Sequence, residues 1–246
     1  MDKAMYIGMT GASNTMAAQT VHANNLANAS TPGFRGNLAS AQAKPLEGTG
    51  LDTRVFNTIE ASPTDFSQGP LMETGNELDV AIAGEGFIAV QTPDGGEAYT
   101  RAGDFQLSAF GELLTGGGLP VLGNGGPIAI PPNQKIEIGS DGTISVREQG
   151  QGAESITAFD RIKLVNPDVS QMTKGLDGLI RMSDESFAAP AAEVRLQAGF
   201  LESSNVNVVD SMVEMISLTR NYELNIKLIK SVEENSETSA RLLQVR

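Results

Sequence analysis

Leu78-Asp79-Val80-Ala81-Ile82-Ala83-Gly84-Glu85-Gly86-Phe87-Ile88-Ala89-Val90 is the stretch that decides the fold. Leu78, Val80 and Ile82 alternate with Asp79, Ala81 and Ala83, the period of a half-buried strand, and a second apolar run follows Gly84 and Gly86. Toward the C-terminus, Asp94-Gly95-Gly96 and Asp141-Gly142 are hairpin turn signals, the second set between Ile136-Glu137-Ile138 and Ile144-Ser145-Val146. Ile156 to Val165 alternates again, and Glu193 to Phe200 closes the region. Many short strands with glycine-rich turns predict a small β-barrel or sandwich over residues 77–200. Toward the N-terminus, residues 31–76 hold Pro45, Gly48, Gly50, Pro63, Gly69 and Pro70 among short apolar pieces such as Val55-Phe56 and Leu71-Met72. That composition reads as an extended or hairpin-like linker.

The two ends have a different period. Residues 1–30 predict a helix with apolar side chains at heptad spacing: Met5, Met9, Ala12, Met16, Ala23 and Leu26. From Ala4 to Phe34 there is no Asp, Glu, Lys or Arg. A helix on the surface of a monomer carries charge on its wet side, so an uncharged periphery suits either packing on several sides or an ordinary core helix. Thr31-Pro32-Gly33 stops it. Residues 201–246 contain neither Gly nor Pro and predict one long helix, with capping chemistry in Ser203-Ser204-Asn205. Its heptad positions are Met212, Met215, Thr219, Tyr222, Ile226, Ile229, Glu233, Ser236, Ala240 and Leu243. The fold class is α+β, a strand-rich middle flanked by helices whose seams pair as a coiled coil.

Composition narrows the function. Of 246 residues, 17 are basic and 30 acidic, a formal charge of −13, and residues 37–199 carry −12 of it. An acidic body excludes nucleic acid, because phosphate neutralisation needs a basic surface. The absence of cysteine excludes disulfides and thiolate metal sites. His22 is the single histidine, which excludes seryl triads and multi-histidine metal sites, and with no carboxylate within four residues it reads as a buried or interface histidine and not a general base. The pairs Asp184-Glu185 and Glu233-Glu234 read as solvated acid. The glycine runs at 116–118 and 123–126 lack the Lys-Ser/Thr of a phosphate loop and read as turns. No catalytic, cofactor or metal site is expected, so the chain is not read as an enzyme. No apolar run approaches the ~20 residues of a membrane span, and no secretory signal follows Lys3, so direct membrane insertion is not expected. Taken alone, that combination points to the cytoplasm.

Three segments carry a resemblance. Ala23-Asn24-Asn25-Leu26-Ala27-Asn28-Ala29-Ser30-Thr31-Pro32-Gly33-Phe34-Arg35 resembles the N-terminal signature of flagellar rod and hook axial proteins. Gly84-Glu85-Gly86-Phe87, then Tyr99-Thr100-Arg101-Ala102-Gly103-Asp104-Phe105, then Gly111-Glu112-Leu113, is similar to their shared β-domain. Gly199 to Val206, followed by Met215-Ile216 and Arg220-Asn221-Tyr222-Glu223, is similar to their C-terminal helix signature. The segments stand in the family's order. Phe34 stands where tyrosine is frequent, and the Gly116–Gly118 run is a further departure.

The resemblance implies a structural subunit of a bacterial flagellar rod, in the periplasm-spanning basal body and exported through the flagellar type III apparatus without a cleaved signal. Length and the opening Met1 to Tyr6 are most similar to a proximal-rod member, with a distal-rod member as the alternative. The implied partners are copies of itself, neighbouring proximal- and distal-rod proteins and the export apparatus. Terminal helices would form an inner tube through Met5, Met9, Met16, Asn25, Leu26, Asn28, Pro32, Gly33 and Phe34 at one end. Met212, Met215, Arg220, Tyr222, Ile226, Ile229 and Leu243 would serve at the other. Gly86, Phe87, Tyr99, Thr100, Arg101, Gly103 and Phe105 would hold the β-domain or meet a neighbour. The competing class, a β-barrel that binds a small ligand, leaves the two seam-bearing ends unexplained. An adhesin or phage-tail tube subunit would share the assembly logic.

Overall fold

A computed structural model describes residues 3–45, 55–59, 63–148, 157–184 and 186–244. The chain is α+β and divides into two compact units. The first comprises Met1–Asn28, Gly36–Asp65 and Val206–Arg246, the second Ala29–Arg35 and Phe66–Asn205.

In the first unit, helix α1 (Lys3–Ala27) is followed by an antiparallel hairpin of β1 (Ala41–Pro45) and β2 (Val55–Ile59), and the chain ends in α2 (Val208–Gln244). The chain leaving α1 is tied back to it. Asn25 Nδ2 donates to the Asn37 carbonyl at 2.8 Å, and Asn37 N–H donates to Asn25 Oδ1 at 2.9 Å, so one amide completes both backbone groups of residue 37. The cap of α2 is Asn207, whose Oδ1 accepts from Val209 N–H at 3.0 Å. The expected cap at Ser203-Ser204-Asn205 lies before the helix, in the second unit.

The two helices run antiparallel. Gly8 lies against Ile229 and Gly11 against Asn225, while Gln19 Nε2 donates to Thr219 Oγ1 at 3.4 Å. On α2 the shielded residues are Ser211, Met215, Leu218, Asn225, Ile229 and Val232, with Ile226 half-buried and Tyr222 37% exposed. The expected seam shares Met215, Tyr222 and Ile229 with this face. Beside the expected 212, 219 and 233 it is the preceding residues Ser211, Leu218 and Val232 that are shielded, while Ile226 is shielded together with Asn225. On α1 the shielded series is Met5, Gly8, Ala12, Thr15, Gln19, His22 and Leu26, so Gly8, Thr15 and His22 replace Met9, Met16 and Ala23. Met9 and Met16 are 54% and 61% exposed. The reason is steric. At the first of these positions a seam read for apolarity selects Met9, whereas the close approach of Ile229 selects the glycine beside it.

The second unit is built of short strands with a 3-10 turn at Val169–Gln171. It holds β3 (Leu71–Glu73), β4 (Val80–Ala83), β5 (Phe87–Gln91), β6 (Glu97–Thr100), β7 (Phe105–Leu107), β8 (Leu113–Thr115), β9 (Asn133–Ile138) and β10 (Thr143–Glu148). There follow β11 (Thr157–Arg161), β12 (Leu164–Val165), β13 (Met172–Lys174), β14 (Ile180–Met182), β15 (Arg195–Ala198) and β16 (Phe200–Glu202). A five-stranded sheet runs β12-β5-β6-β14-β13 and a three-stranded one β11-β10-β9, beside the pairs β15-β4, β16-β3 and β7-β8. The hairpin at Asp141-Gly142 is present, with Ile144 opposite Ile138. Val80, Ile82, Ile88, Phe105, Leu113 and Ile144 form the dry centre of the main apolar cluster, beside two smaller ones. Two expected strands are each split. Ile156 lies outside the described residues, and the rest of the expected Ile156–Val165 strand forms β11 and β12, because Ile162 leaves the ladder to bridge Gly123. Glu193–Phe200 becomes β15 and β16, because Gly199 turns at φ 78° and hands the chain from β4 to β3.

Candidate functional site

Within the strand unit, the three signature segments meet at one buried carboxylate. Glu202 is the last residue of β16, and its side chain is 1% exposed. Oε1 takes Arg35 Nη2 at 2.5 Å and the Gly69 N–H at 2.9 Å; Oε2 takes Arg101 Nη1 at 2.9 Å. Arg101 Nη2 also donates to the Gly84 carbonyl at 2.7 Å, and its guanidinium lies 5.4 Å from the centre of the Phe87 ring. Phe87 in turn packs edge-on against Phe66.

Backbone geometry holds the charges in place. Gly33 N–H donates to the Glu202 carbonyl at 2.7 Å, and Asn205 N–H donates to the Phe34 carbonyl at 3.3 Å. Gly33 has φ +67°, and a Cβ there would lie 2.3 Å from the Arg101 carbonyl carbon, so glycine is required on both counts. At Gly103 a Cβ would fall 1.8 Å from the Val80 carbonyl oxygen. Thr100 Oγ1 accepts from Ala102 N–H at 3.0 Å, and Tyr99 Oη accepts from Ala188 N–H at 2.7 Å; burial pushes the Tyr99 hydroxyl up to about 12. Gly86 is buried against Val194, and Phe105 is a core residue.

The cluster is asymmetric in charge. Two arginines, 2% and 4% exposed, share one carboxylate, and Arg35 Nε, Arg35 Nη1 and Arg101 Nε have no hydrogen-bond partner among the described residues. Burial lowers the Arg101 pKa, opposed by its bond to Glu202. A third cation adjoins. Lys174 Nζ donates to the Arg35 carbonyl at 2.6 Å and sits 3.7 Å from the centre of the Phe34 ring. Burial brings its ammonium down to about 8. The sign of the consequence follows from linkage. Between pH 8 and about 10 the folded chain has shed this proton while the unfolded chain, at a lysine pKa of about 10.4, still binds it. Stability therefore rises with pH across that window. Above pH 10 the raised Tyr99 pKa works the other way, because the unfolded tyrosine ionises first. We expect the melting temperature to climb by about 2–4 °C between pH 7.5 and 9.5, what about 1 kcal/mol gives in a chain this size after discounting for partial exposure. Lys174→Met should flatten the slope; a parent slope that Lys174→Met leaves unchanged would assign it to other groups.

Away from the cluster, the helical unit keeps apolar surface uncovered. Tyr6, Ile7, Met9 and Met16 on α1, and Val209, Met212, Val213, Ile216, Leu224 and Leu228 on α2, are each 44–67% exposed. Met215 and Ile216 line a groove on α2 with Met212, Thr219, Arg220 and Glu223. Arg220 is exposed, Pro32 is half-buried, Phe34 is buried, and Asn28 Nδ2 donates to the Asn24 carbonyl at 2.9 Å. The Leu243 side chain lies outside the described residues. Among the described residues no three His, Cys, Asp or Glu side chains gather as metal ligands, and no helix is long and apolar enough to cross a membrane. The sequence had marked Arg101 but not its partners. Glu202 and Arg35 stood inside the quoted signatures, and the signal was a lone acid ending an otherwise apolar β16.

Comparison with known proteins identifies the class. The family described as Flagella basal body rod protein matches residues 5–35, the Flagellar hook protein FlgE/F/G D1 domain matches 81–146, and the Flagellar basal body rod FlgEFG protein C-terminal region matches 197–242. The chain belongs to the flagellar basal-body rod protein family. Within it the chain is FlgF-like. It is 42% identical over 251 residues to the flagellar basal-body rod protein FlgF of Escherichia coli (strain K12) and 40% identical to that of Salmonella typhimurium, in each case over 100% of both chains. The FlgG rod protein of Bacillus subtilis (strain 168) is 33% identical over 95% of this chain and 96% of its own. The chain is a structural, non-enzymatic component of the basal body that assembles with other rod components.

Proposed function

We propose that this chain builds the proximal part of the rod. Residues 1–30 and 201–246 form the inner tube wall as a coiled coil, residues 31–76 link them to the outside, and residues 77–200 stand outward as a small closed β-body. The observation that carries this reading is the surface left bare after α1 and α2 have paired: a methionine- and isoleucine-rich face on helices whose N-terminal member has no charge from Ala4 to Phe34. Contiguous apolar surface of this kind marks an interface, here with neighbouring rod subunits. Full-length likeness at 40–42% to two of the FlgF proteins, above the 33% for FlgG, favours the proximal position over the distal one. Export through the flagellar type III apparatus without a cleaved signal belongs to the same proposal. The test is fractionation of the host bacterium. The chain should co-purify with detergent-resistant basal bodies; recovery in free cytosol or on the cell surface, with rods intact, would contradict the placement.

A further inference from the structure

We propose that Asn225, seated against Gly11, fixes the register in which the two terminal helices pair, with Ile229 against Gly8 as the second half of the key. The proposal deepens the coiled-coil reading above. Apolar heptads alone do not define register here. Met215, Tyr222 and Ile229 occupy the same heptad place, as do Met5, Ala12, Gln19 and Leu26, so a slip of seven residues restores a comparable set of contacts. What such a slip does not restore is the fit at the glycines. A Cβ at Gly11 would lie 2.9 Å from Asn225 Oδ1 and 3.2 Å from its Nδ2, and one at Gly8 would lie 2.9 Å from Ile229 Cγ1.

Glycine is the poorest helix former after proline, and two within one turn weaken α1 where nothing in the local chain needs them. Neither has a positive φ. Their use is the space they leave: the α2 amide reaches the α1 backbone only where a side chain is missing. After a slip of one heptad in either direction the polar amide of Asn225 faces position 4 or 18, where an alanine puts a Cβ into the space that Gly11 leaves open. A polar side chain set into an apolar seam selects register for this reason. Asn225 therefore acts as a positioning residue, and Gly11 as its socket.

The chain has no cysteine, so engineered pairs report register without background. Gln19→Cys with Thr219→Cys marks the observed register, since these side chains already touch. Gln19→Cys with Met212→Cys, or with Ile226→Cys, marks a slip of one heptad either way. Disulfide yields are read in the purified full chain at low concentration under a slow oxidant, intramolecular bonds being separated by gel mobility. With Asn225 in place the 19–219 pair should close at least about tenfold more than either slipped pair. Asn225→Leu, a substitution that only adds apolar character to the seam, should cut that preference to about threefold or less. An undiminished preference in Asn225→Leu, or no preference in the parent, overturns the proposal. Placement in the basal body is read separately by fractionation, so neither result stands in for the other.

Discussion

Cells whose only copy of this chain carries Ile229→Asp are expected to be non-motile, while cells carrying Lys227→Asp swim. Ile229 is half-buried against Gly8, two helical positions from the exposed Lys227. An aspartate at 229 would be pressed onto the α1 backbone with no cation among the described residues of that seam. Burying an unpaired carboxylate costs several kcal/mol after relaxation. In a polymer that cost recurs in every subunit, so a moderate defect in one helix pair becomes a failure of the tube wall. Lys227→Asp reverses a charge in solvent, where the effect is small and screened. Motility and basal-body recovery are compared for both variants. Equal damage from the two changes, or normal swimming with Ile229→Asp, would show that this face is not in the wall.

The second large effect falls on the strand unit. Glu202→Gln should destabilise it by about 3–5 kcal/mol, the cost of leaving a buried charge without its partner. That is a large share of the ~5–15 kcal/mol a folded domain has in total. Glutamine preserves shape and can still accept a hydrogen bond, but it offers no charge to Arg35 and Arg101, and its NH2 turns a donor toward donors. An apolar replacement of the whole cluster, Arg35→Met with Arg101→Met and Glu202→Leu, should be more stable than Glu202→Gln alone, because it removes the stranded cations. It will not regain the parent's stability in full, since Gly69 N–H and the Gly84 carbonyl lose their partners. Denaturant unfolding of the three chains ranks them. A parent-like Glu202→Gln would mean that the carboxylate is not what neutralises the pair.

These two sites differ in how much of them was legible beforehand. The strand unit was readable where turn chemistry is local: Asp141-Gly142 fixes its hairpin by the conformation of two residues. It was less readable at Ile162 and Gly199, where a strand ends because its partner changes, a fact about residues far away in the chain. The buried cluster was visible only as letters in three signatures. Arg35 and Glu202 are 167 residues apart, and nothing along the sequence pairs them. On the helices, Met5, Ala12, Leu26, Met215, Ile226 and Ile229 of the expected seams are shielded, because period 3.5 is a property of one chain. Met9 was expected where Gly8 lies, because Gly8 and Gly11 read as weak points in a helix, when their lack of a side chain is what admits Ile229 and Asn225.

The most direct measurement is a density map of basal bodies isolated from the host bacterium, at a resolution that separates helices. The rod assignment predicts α1 and α2 of this chain as an antiparallel pair in the tube wall of the proximal rod. Met9, Met16, Met212 and Ile216 should be covered there by neighbouring subunits, and the strand unit should lie outside. A proximal rod complete without this chain, or a chain whose terminal helices lie away from the wall with those four residues in solvent, would contradict it.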